Sequence, residues 1–142
     1  MLRCVALDDY QNVARKFGDW DRLKGRVELH SITEYIPDRD AVAAALKGAD
    51  IVIAMRERTP FDRALLAELP DLKLLITTGL KNASIDVKAA TERALQSPDV
   101  AESMKQGGFE PGFMPLDEVE RFIKGEYQRW GEVIRGAGIK PG

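Results

Sequence analysis

Few side chains in this sequence are of the kinds that carry out reactions, and their surroundings narrow the chemistry further. His30 is the only histidine and sits in "VELHSI", close to Glu28 and Ser31. A general base needs a proton within reach and a group that orients it. The spacing suggests no such partner, so His30 reads as a partly exposed strand residue. Cys4 is the only cysteine, which excludes an internal disulfide and any multi-cysteine metal site. "MRERT" sets Arg56, Glu57 and Arg58 side by side. A guanidinium such as that of Arg56 can hold an anion through two parallel hydrogen bonds, although charged loop residues are ordinarily just solvated. The glycine-rich "GAGIKPG" at 136–142 has the wrong spacing for a phosphate cradle and no helix after it. It reads as a frayed tail, and no cofactor is expected.

The elements that must position these groups alternate along the chain. "RCVALDD" (3–9) is short, apolar and ends in acidic turn formers, as a strand does. A helical stretch with Val13, Phe17, Trp20 and Leu23 follows, interrupted at Gly18. "VELHSI" (27–32) is a second strand, and "DRDAVAAALKGAD" a helix that Asp38 or Asp40 caps and Gly48 stops. "IVIAM" (51–55) is continuously apolar, the mark of a strand covered on both faces. In "TPFDRALLAELP", Thr59 suits the N-cap and Pro60 the first helical position, Asp62 favours the positive helix end, and Pro70 stops the run. "LKLLITTG" (72–79) is a fourth strand and "SIDVKAATERALQ" a further helix. Ser97 and Pro98 restart a short helix that runs to about Gln106 and stops at Gly107 and Gly108. "FEPGFM" (109–114) is a poor strand, fit only for a sheet edge because of Pro111 and Gly112. Leu116, Val119, Phe122, Ile123, Trp130, Val133 and Ile134 then form one apolar stripe on a last helix, which is expected to dock on an apolar surface.

Strands alternating with helices at this spacing imply parallel strands joined by right-handed crossovers. The expected fold class is α/β: a three-layer doubly wound parallel sheet, flavodoxin-like, with about five strands in the order 2-1-3-4-5. One domain is expected over residues 1–142. In that order the first and third strands flank the switch point where ligands bind. Asp8 and Asp9 lie on one side of it and Arg56 and Glu57 on the other, with Thr77, Thr78 and Gly79 ending the neighbouring fourth strand. An acidic pair and a hydroxyl in these places also sketch the phosphoacceptor site of a signalling receiver domain. "IVIAMRERT", however, has no aspartate at the end of the third strand, and "FEPGFMP" has no lysine after the fifth. Asp8 and Asp9 are therefore read as turn residues, and no metal site is expected.

Composition sets the outer bounds. A chain of 142 residues is one domain's length and can bury a substantial core. Its 44% hydrophobic and 31% charged residues are ordinary for a globular protein. A net charge of −2 with interleaved signs gives no reason to expect nucleic acid or an anionic membrane as partner. No apolar run approaches the roughly 18 residues of a membrane span. "MLRCVALDDY" lacks the basic start, apolar stretch and cleavage site of a secretory signal, so a cytoplasmic location is expected.

Two resemblances add to this reading. "ALDDYQNVA", "GADIVIAMRERTPF", "LAELPDLKLLITTGLKNASID" and "VKAATERA", in that order, make residues 1 to about 93 resemble the N-terminal substrate domain of the D-2-hydroxyacid dehydrogenases. The resemblance implies a flavodoxin-like fold for this stretch. It also implies that backbone N–H groups after the fourth strand, at Thr78 and Gly79, help hold a substrate carboxylate. That family's catalytic arginine, acid and histidine and its nucleotide-binding domain belong to later sequence, which this chain does not continue into. From about Ala94, "ALQSPDVAESMKQGGFEP" and "EVERFIKGEYQRWGEVIRGAGIKPG" are instead similar to the C-terminal tail of the periplasmic solute receptors of tripartite tricarboxylate transporters. Met114 departs from that pattern, where a hydroxyl residue ordinarily precedes the proline at the helix start and caps it, a difference of about 1 kcal/mol.

The sequence thus reads as a chimera, engineered or fused, whose 1–93 and 94–142 segments join inside a helix and together complete one fold. No complete active site, no catalysis and no cofactor are expected of it. The alternatives are weak binding of small 2-oxo or 2-hydroxy carboxylates at Arg56, Thr78 and Gly79, or homodimer formation through Phe122, Tyr127 and Trp130 of the last helix. The plainer reading of Arg56, Glu57 and Arg58 is a solvated turn, that of Gly79 a tight bend, and that of Asn82, Ser84 and Asp86 loop and capping groups.

Overall fold

The computed structural model describes residues 1–79, 82–110, 112 and 114–138. They belong to two compact units, Met1–Ser97 and Pro98–Gly142. In the first, four strands, β1 (Leu2–Leu7), β2 (Val27–Ser31), β3 (Ile51–Ala54) and β4 (Leu74–Thr77), form one parallel sheet in the order β2-β1-β3-β4. The α/β class and the 2-1-3-4 order agree with the expectation from sequence. Register sets Cys4 beside Leu29 and Ile51, and Ile51 beside Leu74, so side chains of one parity share a face across the sheet.

The two faces are packed differently. On one, Val5, Leu7, Val52 and Ala54 meet Val42, Ala43 and Leu46 of α2 (Arg39–Leu46), Leu65 and Leu66 of α3 (Arg63–Ala67) and Ala89 of α4 (Val87–Gln96), with Phe61 wholly buried among them. On the other, Cys4, Ala6 and Leu29 are covered by Ala14 of the one-turn α1 (Ala14–Phe17) and by Trp20, which begins a 3-10 turn. The Trp20 indole N–H donates to the Ala14 carbonyl at 2.9 Å, and a Cβ on Gly18 would collide with the indole ring. Gly18 therefore breaks this helix for a packing reason. Leu74 and Ile76, on this second face of the edge strand β4, stay 49% and 40% exposed, so the face is open at that edge. Burial holds the Cys4 thiol in its neutral form by pushing its pKa up, so it packs as a small apolar group.

Three helices begin on an aspartate whose carboxylate accepts the N–H three residues on: Asp38 from Ala41 at 2.8 Å, Asp62 from Leu65 at 2.7 Å and Asp86 from Ala89 at 2.8 Å. Each satisfies an orphan donor of the first turn, worth about 1 kcal/mol. Gly48, at φ +72°, ends α2 in the left-handed region that glycine adopts without strain. The far end of α3 is closed from another element. The Arg93 guanidinium of α4 donates to the carbonyls of Leu66 and Leu69, and to those of Pro70 at 3.0 Å and Leu72 at 3.5 Å. A cation at a helix C-terminus is favourable for the same reason an anion is at its start.

One capping expectation is corrected. Thr59 and Pro60 do not open α3; the helix starts three residues later behind Asp62. The intervening Phe61 is extended and pairs with 84–86, its N–H reaching the Ser84 carbonyl at 2.7 Å and its carbonyl the Asp86 N–H at 2.9 Å. That pairing cannot form inside a helix. The fifth strand is corrected too. Pro111 and Phe113 lie outside the described residues, and Phe109, Glu110, Gly112 and Met114 carry no strand. A proline and a glycine in four residues weaken any ladder they would join. In the second unit α5 spans Pro98–Gln106, starting where expected, and α6 spans Leu116–Gly136. Helix α6 has no side-chain cap at its start, as Met114 and Pro115 imply. Phe122, Ile123, Tyr127, Trp130, Val133 and Ile134 along it are all exposed. Among the described residues no helix is long and apolar enough to cross a membrane.

The N-terminal ends of β1, β3 and β4 are tied through Asp50. Its carboxylate accepts from Lys73 Nζ at 2.7 Å and from the Arg3 N–H at 2.9 Å, and these bonds, Lys73 first, hold its pKa below the usual carboxylate value. A carboxyl depressed by folding adds stability above its unfolded pKa and loses it as pH falls through the folded one. Asp50→Asn is therefore expected to flatten the acid limb of stability against pH, read from urea midpoints in acidic buffers. An unchanged limb would remove Asp50 as its source.

Candidate functional site

The C-terminal ends of β1 and β3 lie side by side at the switch point of the sheet, and both chains leave it through a strained residue. Asp8 and Arg56 each have φ +60°, with Asn12 at +51° nearby. Such backbone is uncommon for residues other than glycine and persists only where neighbours hold it. Asp8 is held on every side. It is 1% exposed, and its Oδ2 accepts from the Thr59 hydroxyl at 2.7 Å while Oδ1 accepts from the Tyr10 hydroxyl at 3.0 Å. Its carbonyl accepts from Arg58 Nη1 at 2.6 Å, and the same guanidinium lies 4.4 Å from the centre of the Tyr10 ring. The Tyr10 phenol is pushed up in pKa, by desolvation first and then by Asp8, against the opposing charge of Arg58. Asp9, equally buried, caps α1 by accepting from Val13 N at 2.9 Å and Ala14 N at 3.1 Å. The two aspartates are turn residues, as read from the sequence, whose buried carboxylates serve as acceptors. Among the described residues no group of three or more metal-binding side chains occurs.

Across the crevice, Arg56 is exposed and its guanidinium has no hydrogen bond or ion pair among the described residues. Its N–H donates to Thr78 Oγ1 at 3.1 Å, which brings two of the three expected site residues together. The N–H of Thr78 is already given to the Ala54 carbonyl at 3.2 Å, extending the β3–β4 ladder by one bond. Gly79 N–H reaches only the Thr77 hydroxyl, at a long 3.4 Å. The free donors at the end of β4 are therefore fewer than the resemblance implies, and of the two guanidiniums at the crevice Arg58 is engaged with the Asp8 carbonyl and the Tyr10 ring while that of Arg56 is not engaged by the described residues. Glu57 is turned to other work, its Oε1 accepting from Ala83 N at 3.2 Å. His30 stands apart on β2, exposed and 3.6 Å from Glu28. The glycines of 136–142 follow a helix, not a strand; Gly136 closes α6, and 139–142 lie outside the described residues. That arrangement does not fit a dinucleotide cradle.

Residues 6–103 match the family model described as the D-isomer specific 2-hydroxyacid dehydrogenase, catalytic domain. The chain belongs to this family. The match covers well over half of the chain and continues past Ala94, the place where the second resemblance begins. Among solved structures, the chain is similar to a protein assigned as a D-3-phosphoglycerate dehydrogenase oxidoreductase from Ralstonia solanacearum, with 31% identity and a TM-score of 0.58 over 66% of this chain and 28% of that one. It is also similar to a phosphoglycerate oxidoreductase from Vibrio cholerae O395, with 26% identity and a TM-score of 0.57 over 79% of this chain and 43% of that one. The chain thus spans less than half the length of either structure. No curated protein matches it.

Tyr10, Arg58 and Thr59 belong to the crevice at the ends of β1 and β3, and sequence reasoning did not bring them together there. "DDY" and "RERT" lie some fifty residues apart, and only the β1–β3 pairing joins them. Thr59→Val leaves one oxygen of a buried carboxylate without its donor, which costs about 2 kcal/mol. The expected result is a lower urea midpoint at unchanged slope; a change within error would show the Thr59 bond to be dispensable.

Proposed function

We propose that these 142 residues form a dehydrogenase-type substrate-domain scaffold that performs no hydride transfer of its own and binds small 2-oxo or 2-hydroxy carboxylates weakly at the switch point. One observation carries the reading: Arg56, strained and unpaired, stands at the end of β3 with its guanidinium free for an anion. A planar guanidinium matches a carboxylate bidentately, and membership of a 2-hydroxyacid dehydrogenase family makes a small hydroxy or oxo acid the chemical class to test. Gly79 contributes a weakly engaged N–H and Thr78 supports Arg56. Chemistry would further require a nicotinamide held against the substrate, and the residues described supply no cradle for one. Titration of the labelled chain with millimolar glyoxylate is expected to move the amides of Arg56 and Gly79 saturably and to leave His30 unmoved. Arg56→Met is expected to abolish those shifts, and NADH with glyoxylate to be left unoxidised. Absence of shifts in the unaltered chain would refute the site, and NADH oxidation would refute the non-catalytic reading.

A second reading concerns the other unit. We propose that the segment from about Ala94 is of separate origin, similar to a solute-receptor tail, and that α6 associates with α6 of a second copy. The unit boundary at Ser97 and the exposed aromatic stripe support this. The five acidic and four basic residues of α6 nearly balance, with Glu126 near Arg129 at 3.3 Å and Asp117 near Arg121 at 3.4 Å, and so select no strongly charged partner. Mass in sedimentation is expected to rise with concentration and to stay monomeric in Trp130→Glu. A constant monomer mass in the unaltered chain would refute association.

A further inference from the structure

Arg56 presents a problem of support. Its side chain has no bond to the rest of the described protein, and its backbone is in a region that glycine adopts freely and L-residues rarely do. Whatever sets the direction in which this side chain leaves the sheet must therefore act through the main chain. The β3–β4 ladder ends just before it: Thr78 N–H meets the Ala54 carbonyl at 3.2 Å, and the next donor along β3 has no main-chain acceptor opposite. The Thr78 hydroxyl takes that place. Its Oγ1 accepts the Arg56 N–H at 3.1 Å, and its own hydrogen is directed to Met55 Sδ at 3.9 Å, a weak contact that still orients the lone pair. A side chain thus closes the ladder and turns β3 out of the sheet at the residue whose guanidinium is free.

We infer that Thr78 is a positioning residue: its hydroxyl, not its N–H, holds Arg56 in the left-handed conformation that presents the guanidinium to an anion. This rests on the carboxylate reading given above, but the hydrogen bond can be tested apart from it. A ligand role for the Thr78 N–H is disfavoured because that donor is already spent on Ala54. Thr78 is exposed, so replacing it leaves the core untouched. Thr78→Val keeps the shape and removes the acceptor; Thr78→Ser keeps the acceptor.

Amide hydrogen exchange and glyoxylate titration of the unaltered chain, Thr78→Val and Thr78→Ser decide the matter. The Arg56 amide is expected to be protected in the unaltered chain, to exchange about tenfold faster in Thr78→Val and to keep its protection in Thr78→Ser. Glyoxylate affinity is expected to fall about tenfold in Thr78→Val and to be retained in Thr78→Ser, with other amides unmoved. Exchange of the Arg56 amide at the unstructured rate in the unaltered chain, or equal protection in Thr78→Val, would overturn the inference whichever variant folds. If glyoxylate moves no resonance in the unaltered chain, the carboxylate reading fails, and the positional role of Thr78 stands or falls on the exchange data alone. If glyoxylate binds and Thr78→Val binds it equally well, the positioning role is overturned and the carboxylate site survives.

Discussion

A carboxylate withdrawn from water must be given donors, or its burial costs several kcal/mol, and the way this fold supplies them to Asp8 fixes much else. One oxygen takes the Thr59 hydroxyl, the other the Tyr10 hydroxyl, and the carbonyl of the same residue takes Arg58. The loops after β1 and β3 consequently cannot move apart without exposing or orphaning a charge. Thr59 is two residues from Phe61, whose main chain pairs with Ser84 and Asp86, and Asp86 in turn caps α4. A single line of bonds thus leads from the end of the central strand to the start of the last helix of the first unit. Removing the hydroxyl of Thr59 weakens the first link of that line.

How much of this was legible in the sequence depends on the range of each interaction. The parallel strands announced themselves as short apolar runs, and β1 and β3, covered on both faces, as the most continuous of them. Asp38 and Asp86 were readable because a cap acts on an N–H three residues away, inside the window a reader scans. Thr59 misled for the same reason. Its type and the following proline have the local form of a helix start, but a partner fifty-one residues away, Asp8, takes the hydroxyl, and the chain stays extended through Phe61. Arg93 gave no signal at all, since its four carbonyl partners are defined only once α3 and α4 lie together. Of the candidate site, Arg56, Thr78 and Gly79 are legible from residue type and position at the strand ends. The hydrogen bond between Arg56 and Thr78 is not, because it depends on where the β3–β4 ladder stops.

The unequal faces of the sheet bear on which end of the molecule can carry chemistry. Three helices press on the face of Val5, Leu7, Val52 and Ala54, and all three are fastened at their N-termini by aspartate. The opposite face has one helical turn and a tryptophan, and it fades out at Leu74 and Ile76. Backbone strain needs a rigid surround to persist. Asp8 directly follows Leu7, and Arg56 stands two residues after Ala54; Leu7 and Ala54 both point into the well-packed face. The open edge of β4 has no such backing. There an added charge or a small residue disturbs little, because little is packed against it.

The segment 56–59 is common to both strained ends, and this gives the switch point its mechanical character. Arg56 is fastened to β4 through Thr78, while Arg58 and Thr59 fasten β1 through Asp8. A displacement of the β4 end is therefore passed across three residues to the end of β1, without any contact between those two strands. On the carboxylate reading, an anion drawn to Arg56 meets a main chain whose freedom is already limited from both sides, so binding orders the side chain and little of the backbone. Preorganisation of this kind favours recognition of a small rigid anion over a long flexible one, whose own ordering would still have to be offset.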